Sequence, residues 1–347
     1  MSTVKLTIDG REIVTHQDRT ILEAAKSAGI RIPTLCFHER MRPIGSCGMC
    51  VVEIDGNSES VASCTTPVTE GMCVTTQSDR LFRERQEALK AILVNHPLDC
   101  PICDKAGECM LQDLVYEHGI TEVDMQPPTL KFTSAYTTPF IRSWPERCIL
   151  CLRCVTACQE IQCHGALEVI EDGANGKLIS FDRDKCVSCG ECIQVCPVGA
   201  LLEKKASLRW RPWEVKKIRT TCAYCGVGCQ QWLHVKDGRV VRVSGVEDAE
   251  PNKGRLCVKG RYGFDFIYSE DRLKTPLIKE NGSFREASWD ESLDLVANKF
   301  KEIITQSGPD AIAGVSCARS INEDSYQMQK LFRAVIGTNN IDHCART

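Results

Sequence analysis

Between Cys148 and Pro197 the chain carries two cysteine runs of one spacing, Cys148-x2-Cys151-x2-Cys154-x3-Cys158 and Cys186-x2-Cys189-x2-Cys192-x3-Cys196-Pro197. An ordinary apolar core does not call for thiols at so regular an interval. The whole chain has 23 cysteines in 347 residues. Its start, Met1-Ser2-Thr3-Val4-Lys5, leads into no apolar signal region, and no apolar run reaches the ~18 residues of a membrane helix. The expectation is a cytoplasmic protein in a reducing compartment, where disulfides are disfavoured. Cys-x2-Cys pairs also build zinc sites, but those combine two separated pairs, whereas here triplets recur with a distant fourth thiol. Iron–sulfur ligation is therefore expected, with zinc as the alternative. A net charge of -3 argues against binding nucleic acid or a membrane surface through the whole chain.

Each run resembles those of bacterial two-cluster ferredoxins, in which the fourth Cys ligates the other cluster. The resemblance implies one [4Fe-4S] cluster on Cys148, Cys151, Cys154 and Cys196, and a second on Cys186, Cys189, Cys192 and Cys158. Three close thiolates wrap one cube, and the fourth opens a short helix pointing to the neighbour. Between the runs, Leu167–Ile170 and Lys177–Phe181 flank Asp172-Gly173-Ala174-Asn175-Gly176 as a hairpin. Cys163 is spare, and is read as a buried small residue or an alternative ligand.

The length allows two to four domains. Residues 1–78 read as β-rich: Val4, Leu6 and Ile8 alternate, Asp9-Gly10 turns a hairpin, and Thr20-Ile21-Leu22-Glu23 is a capping box opening a helix. Cys36, Cys47, Cys50 and Cys64 follow with x10, x2 and x13 spacers. This resembles the [2Fe-2S] β-grasp domain of complex I and iron-only hydrogenases. The short Cys47–Cys50 gap suggests two thiolates on one iron, and Gly45 and Gly48 let backbone N–H groups approach the sulfurs. Cys73 falls outside the pattern and is expected to be a buried strand residue. Residues 79–98 read as an amphipathic helix ending at Asn95-His96-Pro97. His96, Cys100, Cys103 and Cys109 then resemble the His/Cys3 [4Fe-4S] module of the same families. His118 is the alternative for the imidazole. Residues 119–145, with Gln126-Pro127-Pro128, read as a linker. The basic run 203–219, with Trp210 and Trp213, reads as a linker clamping two domains.

Cys222-x2-Cys225-x3-Cys229, completed by Cys257, encloses strands near Trp232–His234 and Val240–Val243 joined at Asp237-Gly238. With Lys259 it resembles the N-terminal [4Fe-4S] domain of molybdenum/tungsten bis-pterin oxidoreductases, whose lysine lies between that cluster and a pterin. Ser288 then opens a helix, Asp310–Val315 reads as a buried parallel strand, and Glu323–Val335 as a second helix. The segment Ile336–Thr347 resembles the approach to the metal-ligating selenocysteine or cysteine of formate dehydrogenases.

The fold expected is α+β multidomain. It comprises a β-grasp [2Fe-2S] domain (1–78), a His/Cys3 [4Fe-4S] module (79–120), a two-[4Fe-4S] ferredoxin-like domain (140–202), a pterin-oxidoreductase [4Fe-4S] domain (217–275) and a truncated start of an α/β domain (276–347). The resemblance as a whole is to the α subunit of NAD- or ferredoxin-linked formate dehydrogenases. It implies reversible oxidation of formate to CO2 on a Mo or W bis-pterin guanine dinucleotide, with five clusters relaying electrons towards the N-terminus. The implied partners are a flavin/NAD-type diaphorase subunit or a ferredoxin, and a small [2Fe-2S] subunit. The catalytic residues are expected immediately after Thr347, behind a recoded UGA, so that the chain alone carries electrons without oxidising formate. The alternative is an electron-relay subunit resembling the complex I large subunit or the N-terminal region of an iron-only hydrogenase.

Overall fold

A computed structural model describes residues 2–123, 137–171, 177–206 and 210–344. The chain divides into two compact units, Met1–Lys216 with Lys236–Val241, and Lys217–Val235 with Arg242–Thr347.

The first unit opens with β1 (Thr3–Ile8) and β2 (Arg11–His16), paired antiparallel with Ile8 opposite Arg11. Asp9 and Gly10 turn the hairpin at positive φ, and the Asp9 carboxylate accepts from Thr76 N at 2.7 Å and Thr76 Oγ1 at 2.6 Å. Helix α1 (Ile21–Ser27) carries the expected capping box of Thr20 and Glu23 and buries Ile21, Leu22, Ala24 and Ala25. Strands β3 (Val51–Ile54), β4 (Val61–Ala62) and β5 (Cys73–Thr75) complete a five-stranded sheet in the order β2-β1-β5-β3-β4, with β1 and β5 parallel. Val4, Leu6 and Ile8 alternate into its core, as a period of two requires. Cys73 lies in a strand but is only half-buried, a partial correction, because its side of β5 is not covered.

Helix α2 (Asp79–Leu93) is capped by Ser78 Oγ accepting from Leu81 N and buries Leu81, Arg85, Leu89 and Leu93 on one stripe. It ends at Leu93, short of the expected limit, and residues 94–99 descend as a loop that frees His96 from helical geometry. Arg85 docks the helix on the sheet through Val51 O at 2.7 Å and Thr76 O at 2.9 Å. Helix α3 (Met110–Glu117) follows Cys109.

The expected linker 119–145 is corrected at its end. Its Gln126-Pro127-Pro128 lies outside the described residues, but β6 (Ile141–Ser143) is already a strand of the next module. Within that module come α4 (Arg153–Thr156), a π-helical turn (Ala157–Ile161), β7 (Leu167–Glu171), β8 (Lys177–Phe181), α5 (Glu191–Val195) and β9 (Leu201–Glu203). β6 pairs antiparallel with β9, closing the module end to end. β7 and β8 form the expected hairpin, whose turn 172–176 lies outside the described residues.

Strands β10 (Lys216–Thr221), β11 (Gln230–Lys236) and β12 (Arg239–Gly245) form a sheet in that order, with Asp237 and Gly238 at positive φ in the turn. Helix α6 (Val258–Tyr262) starts at Cys257. β13 (Leu277–Glu280) and β14 (Ser283–Glu286) form a hairpin, and α7 (Trp289–Ser307) is capped by Ser288. β15 (Gly314–Ser316), α8 (Asn322–Lys330) and β16 (Ile341–His343) form a parallel βαβ unit around Ile312, Phe332 and Ile336. The buried strand expected over 310–315 is corrected: residues 309–311 form a 3-10 turn, and Val315 is 77% exposed. The reason is that β15 has β16 as its one neighbour among the described residues. No helix among the described residues is long and apolar enough to cross a membrane.

Candidate metal centres

The β-domain brings Cys36, Cys47, Cys50 and Cys64 together as two strongly interacting pairs, Cys36 with Cys47 and Cys50 with Cys64. In each pair one sulfur holds the other's charge. The interaction with Cys47 brings Cys36 down to about 5, and the interaction with Cys64 brings Cys50 down to about 6, while Cys47 and Cys64 are pushed up. Cys47 thus interacts most strongly with Cys36, and Cys50 with Cys64. Gly45 and Gly48 sit at φ 71° and 68°, which a side chain at either position would resist. The N–H groups after these glycines point at sulfur: those of Ser46 and Cys47 at Cys36, and that of Met49 at Cys47.

Past α2, Cys100, Cys103 and Cys109 share one electrostatic neighbourhood. His96 and Cys103 face the same two charges, Asp99 and Arg147. Nδ1 of His96 is buried with no hydrogen-bond partner, and burial lowers the imidazole pKa, which keeps the ring in its neutral, ligating form. An orphaned nitrogen beside three thiols fits a metal centre. His118, the alternative, is occupied otherwise. It caps α3 with Nδ1 2.9 Å from Leu114 O and stacks on Phe82 at 5.3 Å. We expect His96→Ala to remove about four irons per chain and one [4Fe-4S] signal, and His96→Cys to keep the cluster at a lower potential, because a thiolate adds negative charge. EPR redox titration checks both, and a His96→Ala protein with every signal intact would overturn the assignment.

In the ferredoxin-like module, Cys196 approaches Cys148, Cys151 and Cys154, and Cys158 approaches Cys186, Cys189 and Cys192. The first four line a cavity of about 270 Å³ and the second four one of about 30 Å³. The two runs repeat one backbone path. Leu150 and Leu152 in the first, and Ser188 and Gly190 in the second, take positive φ at the same offsets. Leu150 N–H donates to Cys148 Sγ at 3.5 Å and Ser188 N–H to Cys186 Sγ at 3.4 Å. Left-handed non-glycine residues cost energy, and this strain places an amide on each sulfur. Burial pushes Cys148 to about 11 and Cys151 to about 12, and raises Cys154 and Cys192 further. Free thiols would stay protonated here, and a bound metal would ionise them. Cys163 is exposed at φ 55°, which corrects its reading as buried: it leaves the π-helical turn in a left-handed bend that aims it outward.

In the second unit Cys222, Cys225, Cys229 and Cys257 converge, and Lys259 lies close enough to lower the Cys222 pKa, which burial otherwise raises. Lys259 Nζ stands 5.8 Å from the Tyr224 ring centroid. A Cβ on Gly260 would lie 3.5 Å from Cys222 Sγ, so the glycine admits the sulfur.

Sequence reasoning missed the buried charges beside these sets. Arg147 pairs with Asp99, Nε to Oδ2 at 3.0 Å, and lies 4.4 Å from the Trp144 ring. Arg40 pairs with Glu191 at 2.7 Å, and Glu191 is 1% exposed. Arg211 donates to Cys103 O at 2.7 Å and to Pro101 O, while Trp213 covers Gly107, so the basic run clamps the His/Cys3 module. The available signal was placement: Asp99, Arg147 and Glu191 each directly precede a cysteine of a cluster motif.

Residues 1–79 match the model of a 2Fe-2S iron-sulfur cluster binding domain, and residues 85–124 that of the NADH-ubiquinone oxidoreductase-G iron-sulfur binding region. Residues 138–202 match the ferredoxin-like domain of NADH-quinone oxidoreductase subunit 3. Residues 215–269 match the molybdopterin oxidoreductase Fe4S4 domain, and residues 272–347 the molybdopterin oxidoreductase model. The NADPH-Fe(3+) oxidoreductase subunit alpha of Geobacter sulfurreducens is 41% identical over 345 residues, 99% of this chain and 40% of the relative. A Staphylococcus aureus protein provisionally named formate dehydrogenase is 35% identical over 386 aligned residues, 98% of this chain and 39% of the relative. The chain thus spans about two fifths of the length of these curated relatives. A chain in the crystal structure of an NAD+-reducing [NiFe]-hydrogenase in the H2-reduced state superposes with TM-score 0.55 and 33% identity, over 60% of this chain and 91% of that one. The module order, the converged thiols and these matches together place the chain in the oxidoreductase family whose iron–sulfur N-terminal region is shared by molybdopterin oxidoreductases and G-type subunits of NADH-quinone oxidoreductases.

Proposed function

We propose that this chain is the electron-relay region of a formate dehydrogenase α subunit. It would hold one [2Fe-2S] cluster on Cys36, Cys47, Cys50 and Cys64, and four [4Fe-4S] clusters. These four would sit on His96 with Cys100, Cys103 and Cys109; on Cys148, Cys151, Cys154 and Cys196; on Cys158, Cys186, Cys189 and Cys192; and on Cys222, Cys225, Cys229 and Cys257. The observation that carries the relay is the convergence of distant thiols into sets of four inside buried pockets, with backbone amides aimed at sulfur. Bound clusters would supply one-electron transfer, and a Mo or W bis-pterin centre in the longer protein would supply formate oxidation. The chain's own residues position the sulfurs, exclude water and set local charge. Lys259, beside Cys222, is suited to stabilise an added electron there and to reach a pterin.

A flavin/NAD-type diaphorase subunit or a ferredoxin is the proposed partner. The Staphylococcus relative supports formate as the donor. The higher identity to the Geobacter subunit favours a second reading, in which the clusters carry electrons from a nicotinamide dinucleotide to an external acceptor. Two measurements test these proposals. The purified protein should contain about 18 iron atoms per chain with matching acid-labile sulfide; stoichiometric zinc with little sulfide would reject the relay. The native complex should reduce viologen with formate; reduction with NADPH alone would reject formate in favour of the second reading.

A further inference from the structure

One buried cation touches three modules at once. Arg153 lies between Cys151 and Cys154 and is 4% exposed. Its Nη2 donates to the carbonyl of Phe37, the residue after Cys36. Its Nη1 donates to the carbonyl of Val195, the residue before Cys196, at 3.4 Å. The same nitrogen is 3.4 Å from Sδ of Met110, the residue after Cys109. Each contact therefore lies one residue from a thiol of a different set.

Two other arginines near the ferredoxin-like module have carboxylate partners, Arg40 with Glu191 and Arg147 with Asp99, whereas the buried Arg85, near Cys50, donates to the carbonyls of Val51 and Thr76. Arg153 pairs with no carboxylate among the described residues, and its Nε has no hydrogen-bond partner. An uncompensated buried charge costs several kcal/mol, so a fold that keeps one supplies a counter-charge elsewhere. The anionic groups that face Arg153 are first the sulfurs of Cys151 and Cys196, then those of Cys36 and Cys47.

We propose that Arg153 is the fixed counter-charge of the cluster held by Cys148, Cys151, Cys154 and Cys196 and, more weakly, of the [2Fe-2S] cluster, raising both reduction potentials. The proposal rests on the cluster assignments above. Accepting an electron makes a cluster more negative by one charge, and a buried cation stabilises that state more than the oxidised one. Low local dielectric enlarges the difference relative to a surface cation. The partner cluster on Cys158, Cys186, Cys189 and Cys192 has the neutral pair Arg40–Glu191 instead, and gains less. An electron reaching the ferredoxin pair therefore rests on the cluster at the three-module junction, and Arg153 is a positioning residue for it.

The test is an EPR-monitored redox titration of the full, cluster-loaded chain. In Arg153→Met, the reduced-to-oxidised ratio of the two named clusters at fixed ambient potential should fall at least tenfold, equivalent to about 59 mV for a one-electron couple. Arg153→Lys should restore most of that shift. Met110→Glu should reproduce it, by neutralising the guanidinium without removing it, and Met110→Gln should not. The cluster on Cys222, Cys225, Cys229 and Cys257 should stay fixed throughout. Unmoved midpoints, an Arg153→Lys shift as large as that of Arg153→Met, or an equal shift of all clusters would overturn the proposal. If Arg153→Met does not load iron, the Met110→Glu and Met110→Gln pair decides. Wild-type protein without clusters would instead defeat the assignments on which the proposal rests, a distinguishable failure.

Discussion

Stripping iron from the folded protein is expected to erase amide protection over residues 148–196 while leaving β1, β2 and α1 protected. The two regions differ in what holds them. The β-domain has its own apolar core, built from Val4, Leu6, Ile8, Ile13, Ile21 and Val52 among others. The ferredoxin-like module instead packs Cys154 and Cys196 among its core residues, so proposed metal ligands occupy positions where other folds place leucines. Its helices α4 and α5 have four and five residues, far below the ~12 needed for a helix to approach stability alone. Leu150, Leu152 and Ser188 hold left-handed conformations, a strain that ligation would repay. Arg153 would be left facing protonated thiols. Ligand binding and folding are then one equilibrium. Hydrogen exchange read by mass spectrometry, before and after anaerobic chelation, checks this; unchanged protection in α4 and α5 would contradict it.

The second large effect is expected at Arg147, where Arg147→Met should destabilise the loaded protein by about 3 kcal/mol. Breaking a buried ion pair costs about 3–5 kcal/mol, and the lower end applies because Asp99 keeps some solvent contact. Arg147 is 2% exposed, forks onto both oxygens of Asp99, and lies against the Trp144 ring. Asp99 precedes Cys100 and Arg147 precedes Cys148, so this pair locks the His/Cys3 module to the ferredoxin-like one. The backbone bond from Met110 N to Pro197 O at 3.1 Å reinforces the same seam. For a unit near 200 residues, such a loss lowers the melting temperature by roughly 6–12 °C. Arg147→Lys should recover part of it, since it keeps the charge but not the planar fork. Differential scanning calorimetry of loaded variants measures the shift, and an Arg147→Met protein melting with the wild type would refute the role.

Local features were readable along the chain because their causes are local. The Thr20–Glu23 capping box, the Asp9-Gly10 turn and the Ser288 cap each depend on residues within one turn of each other, and each is present. The presence of iron–sulfur and molybdopterin-type modules is likewise matched by family models. Errors came where burial decided the outcome. Cys163 and Val315 are residues of buried type, and both are exposed, one because of a left-handed bend and the other because its strand has a single neighbour.

By itself the sequence determined the cysteine spacings, the kinds of module and the chemistry on offer, because a Cys-x2-Cys spacer keeps its two sulfurs in one neighbourhood however the chain folds. Only the tertiary structure decided which distant groups complete and tune each set. It brings Cys196 to Cys148, buries Nδ1 of His96 without a partner, and sets Arg153 against Phe37, 116 residues away along the chain. Electrostatic energy depends on separation in space and on the dielectric between charges. Neither is encoded in any local spacing, so the junction of the three modules could be read only once the chain was folded.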